Sequence, residues 1–552
     1  MEKRLLLAIV LSFLVLFLYQ AIFVKKPQLE APPETAALIE KELEQKPGEK
    51  ESLLRPELLQ KKEPAKKESP IQPVRAEQED NIFVDTSLYR AVWSNRGAVL
   101  KSWKLKKHKD ENKEDLELVS PRSLEIEKFP FSLTTEDASF NNTINSALYD
   151  ASNLKLALED GQEAELRFLY ADEAGTKVEK IFVFQGGKYS FDVKINVLKG
   201  GQKIEPYLLW GPSLRNPTPS ELKQRFGGSR GIAVYSADKV SRQDEKKFDP
   251  ERRAFNFVNW AAYEDNYFAA LLLTSPQKSS AAFIKEDADE LTSYFFLAVN
   301  YPQRAFIGPK DFDALRVFGH NAKKMIKFGF FGWIAEILLL SMKAIHKFIP
   351  NWGFSIIILT LIIKILFFPL TYSSTRSMSK MQEIQPKIKA LRARYKKAKQ
   401  DIAQRRKMNE EIMKLYKEHG INPAGGCLPI LIQLPIFWGF FRLLIVSVEF
   451  RHSPFIFWIN DLSVKDPFYV TPILMGITQF IYQKMTPTTG DATQARMMMF
   501  MPVIMTFFFM NFQSGLVLYW LTNNVIQIGQ QYIMNRMRKK KKRESHGKRR
   551  KK

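Results

Sequence analysis

Residues 353–371 read GFSIIILTLIIKILFFPLT, nineteen positions with a single charge, Lys364. A transmembrane helix needs about 20 predominantly apolar residues to cross ~30 Å of hydrocarbon, so this run predicts a span. Working outward, residues 425–448, 467–483, 497–512 and 515–534 have the same texture, and 425–534 is predicted to hold four further spans. Near the N-terminus, residues 5–24 form an apolar run preceded by Lys3 and Arg4 and closed by Lys25 and Lys26. The stretch Gln20-Ala21-Ile22-Phe23-Val24 offers no small-residue cleavage site, so 1–24 is read as an uncleaved signal anchor. The predicted fold class is an α-helical polytopic membrane protein of six spans, five of them in one C-terminal core.

Charge supplies the orientation. The 552 residues carry 83 Lys+Arg against 59 Asp+Glu, a net +24, and two segments hold most of the excess. Residues 373–420 contain 14 basic side chains and five acidic ones, and the tail 535–552 contains 12 and one. Positive charge beside apolar segments marks the cytoplasmic side. Six crossings from an inside N-terminus return the C-terminus inside, so parity and charge agree. The rest of the chain is nearly neutral, which argues against a general nucleic-acid surface, and no DNA partner is expected.

Mean hydropathy is −0.24, an average that dilutes these blocks with very polar ones. Residues 25–80, rich in Glu, Lys, Pro and Gln and without aromatics before the domain, read as a disordered linker on the outer side. From 81 to 318 the texture becomes period-2. Tyr189, Phe191, Val193, Ile195 and Val197 alternate with polar residues, after a Gln185-Gly186-Gly187-Lys188 turn signal, which predicts a large antiparallel β-sandwich. Residues 322–349 are amphipathic, with Lys323, Lys327, Glu336, Lys343 and Lys347 interrupting an apolar surface, and read as a helix lying in the outer interface.

Chemistry of the usual enzymatic kinds is missing. One cysteine, Cys427, allows no thiolate cluster, the six histidines show no ligand spacing, and no GxxxxGK[ST] run is present. No catalytic residue, metal or cofactor is expected, and the chain is not read as an enzyme.

The candidate site lies within the spans. A charge there costs at least about 2.5 kcal/mol, so Lys364 either faces the bundle or a wet cavity, or snorkels to the inner interface. Thr360 is one turn earlier on the same face. Gln433, Thr478, Gln479, Gln483, Thr522, Asn523, Asn524 and Gln527 fall on other spans at inner-leaflet depth. Such groups must meet one another or water. They read either as interhelical glue or as a groove open to the cytoplasm.

Segment 373–420 repeats Ile384, Ile388, Leu391, Tyr395 and Ala398 at 4, 3, 4, 3, then Met408, Ile412 and Leu415, the pattern of a cytoplasmic coiled-coil hairpin. It is either a solvated topology device or a partner-binding arm, with Gln385, Pro386, Lys387, Arg392 and Arg394 as its candidate contacts. The tail suits any polyanion, anionic lipid or RNA.

Five runs then carry a likeness: KMQEIQPK at 380–387, NPAGGCLP at 422–429, IQLPIF at 432–437, QKMTP at 483–487 and SGLVLYW at 514–520. Together with the order anchor, outer domain, five-span core, the chain resembles the YidC family of membrane protein insertases in its Gram-negative form. The resemblance implies a periplasmic β-supersandwich and an inner-membrane location. It implies insertion and folding of nascent membrane proteins through a hydrophilic inner-leaflet groove, alone or with the Sec translocon (SecYEG, SecDF), and contact with the ribosome and anionic lipids through hairpin and tail. It places Lys364 where the family has an arginine, keeping the charge but losing the bidentate fork. Thr360, Gln433, Asn524 and Gln527, singled out by face and depth, are the candidate groove residues beside it, and the resemblance makes Tyr519 and Trp520 the family's substrate-touching pair. A transporter would need repeated halves or an intramembrane carboxylate, and an intramembrane protease would need a buried Asp pair, a metal motif or a Ser/His site. Neither pattern is visible.

Overall fold

The computed structural model describes residues 73–217, 221, 230–250, 253–288, 292–395, 401–421, 428–486 and 492–550. The predicted anchor 1–24, most of the linker and the 422–427 motif lie outside the described residues. The chain divides into two units, Met1–Ser69 with Gly490–Met498, and Pro70–Thr489 with Met499–Lys552. Of the first, only helical residues 492–498 are described; all the contacts below belong to the second.

Alternating burial builds the β-domain. Lys177–Gln185 buries every second residue and pairs antiparallel with Ser190–Lys199, Phe184 opposite Phe191 and Phe182 opposite Val193. Gly187 supplies the left-handed backbone of the turn between them (φ +78°). The inward rings of Phe182 and Phe191 meet Trp93 at 4.3 and 6.4 Å, at the centre of an aromatic core. Buried Lys180 is satisfied by the carbonyls of Gly97, Ala98 and Phe131 at 2.7, 3.1 and 2.8 Å.

Three sheets of five, ten and five strands result among the described residues. The expected antiparallel pattern has one exception, since Asn81–Thr86 runs parallel to Lys155–Leu158. Order also begins before residue 81. Val74 bridges to Ala171, and Glu79 sits between Arg96 and Lys101, each at 2.7 Å, which hold its carboxyl down near about 2. The linker prediction therefore overran the domain by several residues, because a two-sided ion pair orders a polar stretch that composition reads as disordered. A cleft of about 780 Å³ on this domain is lined by residues including Phe248, Arg253, Ile284 and Lys285, outside the helical part described next.

The helical part comprises α1 (Phe312–Phe318), α2 (Gly332–Phe348), α3 (Trp352–Leu366), α4 (Phe368–Arg394), α5 (Ile402–Glu418), α6 (Leu428–Val446), α7 (Val470–Met485), α8 (Ala492–Phe509) and α9 (Ser514–Arg550). The amphipathic segment is two pieces, a 3₁₀ turn at Ala322–Met325 and then α2, separated at Gly329 (φ +80°). One face of α2 buries Ala335, Leu338, Leu339 and Met342, and the other exposes Trp333, Ile337 and Leu340. Asn351 caps α3 by accepting from the Phe354 N–H. Pro369 has no N–H to give the Ile365 carbonyl, so α3 stops and α4 starts afresh at Phe368.

Each of the five core segments forms a helix, but α3 with 15 residues is only about 22 Å long. Among the described residues no single helix is both long and apolar enough to cross a membrane, while α2 and α3, bent by 119°, meet that test as a pair. The antiparallel α4–α5 pair encloses Met381, Ile384 and Ile388 against Ile412 and Leu415, and Tyr395 donates to Glu411 at 2.7 Å. Its first arm starts at Phe368, five residues before the predicted hairpin boundary.

Buried ion-pair groups gather where the β-domain meets the helices. Lys343 on α2 lies 2.9 Å from Asp311, Asp313 and Glu449. Burial drives the Glu449 carboxyl up to about 7 against the opposing pull of Lys343. Arg451 and Arg215 share Glu221, and Arg215 also holds Asp265.

Candidate functional site

Lys364 belongs to the last turn of α3 and is only 7% exposed. Side chains on a helix lean toward its N-terminus, so the ammonium lies up to a turn back from its own backbone. Nζ donates to Gln433 Oε1 at 3.0 Å, and Gln433 Nε2 donates to the Tyr519 hydroxyl at 2.6 Å and to Asn523 Oδ1 at 3.0 Å. Three helices, α3, α6 and α9, are thus joined by one carboxamide. Gln433 is suited to this because its oxygen accepts from a cation while its two N–H groups face two acceptors.

The backbone of Lys364 marks a different level. Its carbonyl accepts from Gln530 Nε2 at 3.4 Å, and Gln530 lies 7 to 11 residues, about 10–16 Å of helix, beyond Asn523 and Tyr519 along α9. The ammonium therefore extends away from the α3 C-terminus, which excludes the snorkelling posture that the sequence left open.

Tyr519 is 1% exposed and stacks on Phe440 at 4.3 Å, which holds its hydroxyl toward Gln433. Thr360 is buried on the Lys364 face, but its hydroxyl donates to its own helix at the Ile356 carbonyl, 2.6 Å. Trp520 turns to the other side of α9, donating to Gln479 at 3.4 Å and packing on Phe437 and Phe509. Asn524 also faces α7, with Nδ2 reaching the Met475 carbonyl at 3.1 Å and Thr478 at 3.4 Å. Gln527 is half-buried one turn past Asn523, on the face of Tyr519.

The structure thus gathers Lys364, Gln433, Tyr519 and Asn523 into one network and places Trp520 and Asn524 in a second, between α7 and α9. Gln530 was not singled out from sequence. Its spacing of seven from Asn523, two turns on the same face, was the available signal. Lys364 is buried, and its ammonium meets the Gln433 carboxamide, behind which Tyr519 and Asn523 stand.

On the hairpin, Lys387, Arg392 and Arg394 are exposed, Pro386 is accommodated inside α4 and Gln385 is half-buried. Lys387 Nζ lies 3.1 Å from His419 Nε2. Arg538 of α9 reaches Gln382 at 3.3 Å and Glu383 at 3.6 Å, tying the hairpin to the end of the core. No group of three or more His, Cys, Asp or Glu able to hold a metal occurs among the described residues.

Comparison with known proteins places these features in a family. A family model described as 60Kd inner membrane protein matches residues 344–542, and one described as YidC periplasmic domain matches 81–340. A membrane protein insertase YidC from Syntrophus aciditrophicus (strain SB) is 37% identical over 97% of this chain and 100% of its own length. Another, from Geobacter metallireducens, is 36% identical over 97% and 98%. A crystal structure of an active YidC insertase with its first transmembrane domain resolved is 22% identical, covering 84% of this chain and 94% of that one with a TM-score of 0.35. Near-full-length identity at this level leaves one assignment: the chain belongs to the YidC family of membrane protein insertases.

Proposed function

We propose that this protein inserts nascent membrane proteins into a bacterial inner membrane, with its β-domain periplasmic and six crossings that return both termini to the cytoplasm. The observation that carries the proposal is a lysine held within the helical core by the Gln433 carboxamide, with no carboxylate partner among the described residues. A lone cation in hydrocarbon is costly, and it is retained where something negative or wet must be met. An acidic or polar segment of a client displaces the Gln433 oxygen, the amides of α6 and α9 replace part of its hydration, and the apolar client helix then leaves sideways into lipid.

Hydrophobic partitioning of the client supplies the free energy, aided by the membrane potential, and no nucleotide is required. The hairpin residues Gln385, Pro386, Lys387, Arg392 and Arg394, with the basic tail, meet the ribosome and anionic headgroups, and the Sec translocon (SecYEG, SecDF) is the partner for larger clients. Site-directed crosslinking from Thr360, Lys364, Gln433 and Tyr519 to a stalled nascent chain tests the site. Adducts from these positions are expected; their absence from all four overturns it.

A further inference from the structure

Along α9, Tyr519, Asn523, Gln527 and Gln530 recur at 4, 4 and 3, so they share one face over about 16 Å of helix. The upper two belong to the Lys364–Gln433 network. The lower two lie toward the α9 C-terminus, at and past the level of the Lys364 backbone. Gln530 Nε2 lies 3.4 Å from the Lys364 carbonyl, which can only accept, so Oε1 faces away. That oxygen is buried and has no hydrogen-bond partner among the described residues. A buried acceptor left unmet is costly, and its retention at one end of a polar stripe points to a donor that arrives.

We infer that Gln530, with Gln527 beside it, is a docking station for the backbone N–H groups of the client's polar segment, passed before that segment reaches Lys364. This deepens the insertase reading above and rests on it. A carboxamide oxygen takes a peptide N–H whatever side chain follows, so the station handles polar tails without regard to sequence, whereas Lys364 selects for negative charge. The stripe then works as a path. The tail exchanges water for amide partners at Gln530 and Gln527, and for Gln433 and Asn523 deeper in.

The experiment uses the full chain in membranes. A photoreactive amino acid at 527 or 530 should capture stalled client chains at shorter exported lengths than one at 519. Gln530→Met removes the acceptor while keeping size and helix propensity, and should slow insertion of a client with a long polar tail about fivefold, the equivalent of one hydrogen bond, while a very short tail is nearly unaffected. Gln530→Glu keeps the acceptor but loses the bond to the Lys364 carbonyl, and should recover the long-tail client relative to Gln530→Met. Equal loss for long and short tails, Gln530→Glu failing like Gln530→Met, or capture at 519 with none at 527 and 530 overturns the station and leaves the Lys364 site standing. Absence of capture at 360, 364, 433 and 519 overturns the site itself.

Discussion

Arg451 and Glu221 are 230 residues apart in sequence and 2.8 Å apart in space. Arg451 follows α6, while Glu221 belongs to the β-domain and also receives Arg215 at 2.8 Å. A second arm of Arg451 reaches the Lys109 carbonyl, 2.8 Å away. The two guanidinium groups hold the Glu221 carboxyl down near about 2 against the effect of burial. Both also lie over the Phe268 ring, at 5.1 and 5.4 Å. This cluster pins the β-domain to one end of the helical core.

Removing Arg451 should therefore cost more than a surface charge. Arg451→Ala leaves a buried carboxylate with one of its two cations, a change worth ~3–5 kcal/mol for buried pairs. Arg451→Lys keeps the charge but loses the fork that spans Glu221 and Lys109, and should fall between. Thermal unfolding in detergent, with limited proteolysis of the junction, checks both; wild-type stability in Arg451→Ala would remove the pin from the account.

Two glycines predict opposite outcomes. A Cβ on Gly476 of α7 would lie 1.9 Å from Thr506 Oγ1 of α8, whose hydroxyl is engaged with the Pro502 carbonyl. Gly476→Ala should destabilise by about 1–3 kcal/mol through overpacking. Gly529 on α9 meets nothing within 4 Å, so Gly529→Ala should be neutral or stabilising by up to about 1 kcal/mol. Unfolding temperatures of the two variants under one set of conditions decide it.

The charge of Lys364 is separable from its geometry. Lys364→Ala should lower insertion of a small single-span client about tenfold or more, since a hydrogen bond to a charged group contributes ~1.5–3 kcal/mol. Lys364→Arg should retain most activity, because Gln433 presents a single acceptor that either cation can use. Parent-like rates in both variants would take the cation out of the mechanism.

Two groups at the junction titrate in opposite senses. Burial, reinforced by Arg451, pulls His108 from 6.5 to about 4. Its neutral form is favoured in the fold, so the stability it contributes is present above 6.5 and lost as pH falls toward 4. Glu449, raised by burial from 4.5 to about 7, contributes stability below 4.5 that is lost as pH rises through 7. His108→Gln should flatten the acid limb of a stability–pH profile and Glu449→Gln the neutral limb. A parent profile matched at every pH by both variants would refute the assignment.

Apolar runs and period-2 alternation pointed to a helical part and a β-rich domain, because burial imposes those patterns on helices and strands. The isolation of Lys364 was equally plain, since one charge among eighteen neutral residues needs no fold to be noticed. The direction of its side chain was not legible. Snorkelling and inward placement use the same residues, and only the contacts to Gln433 and Gln530 separate them.

Amino-acid order determined which residues of this protein had to meet lipid, water or one another, since transfer free energies belong to side chains and are local. The tertiary structure decided which amides share a face with Lys364 and which, like Asn524, serve α7. It also decided that Arg451 closes on a carboxylate 230 positions away. Those choices depend on helix rotation and crossing, set by close approaches such as Gly476 against Thr506, and no local pattern encodes them.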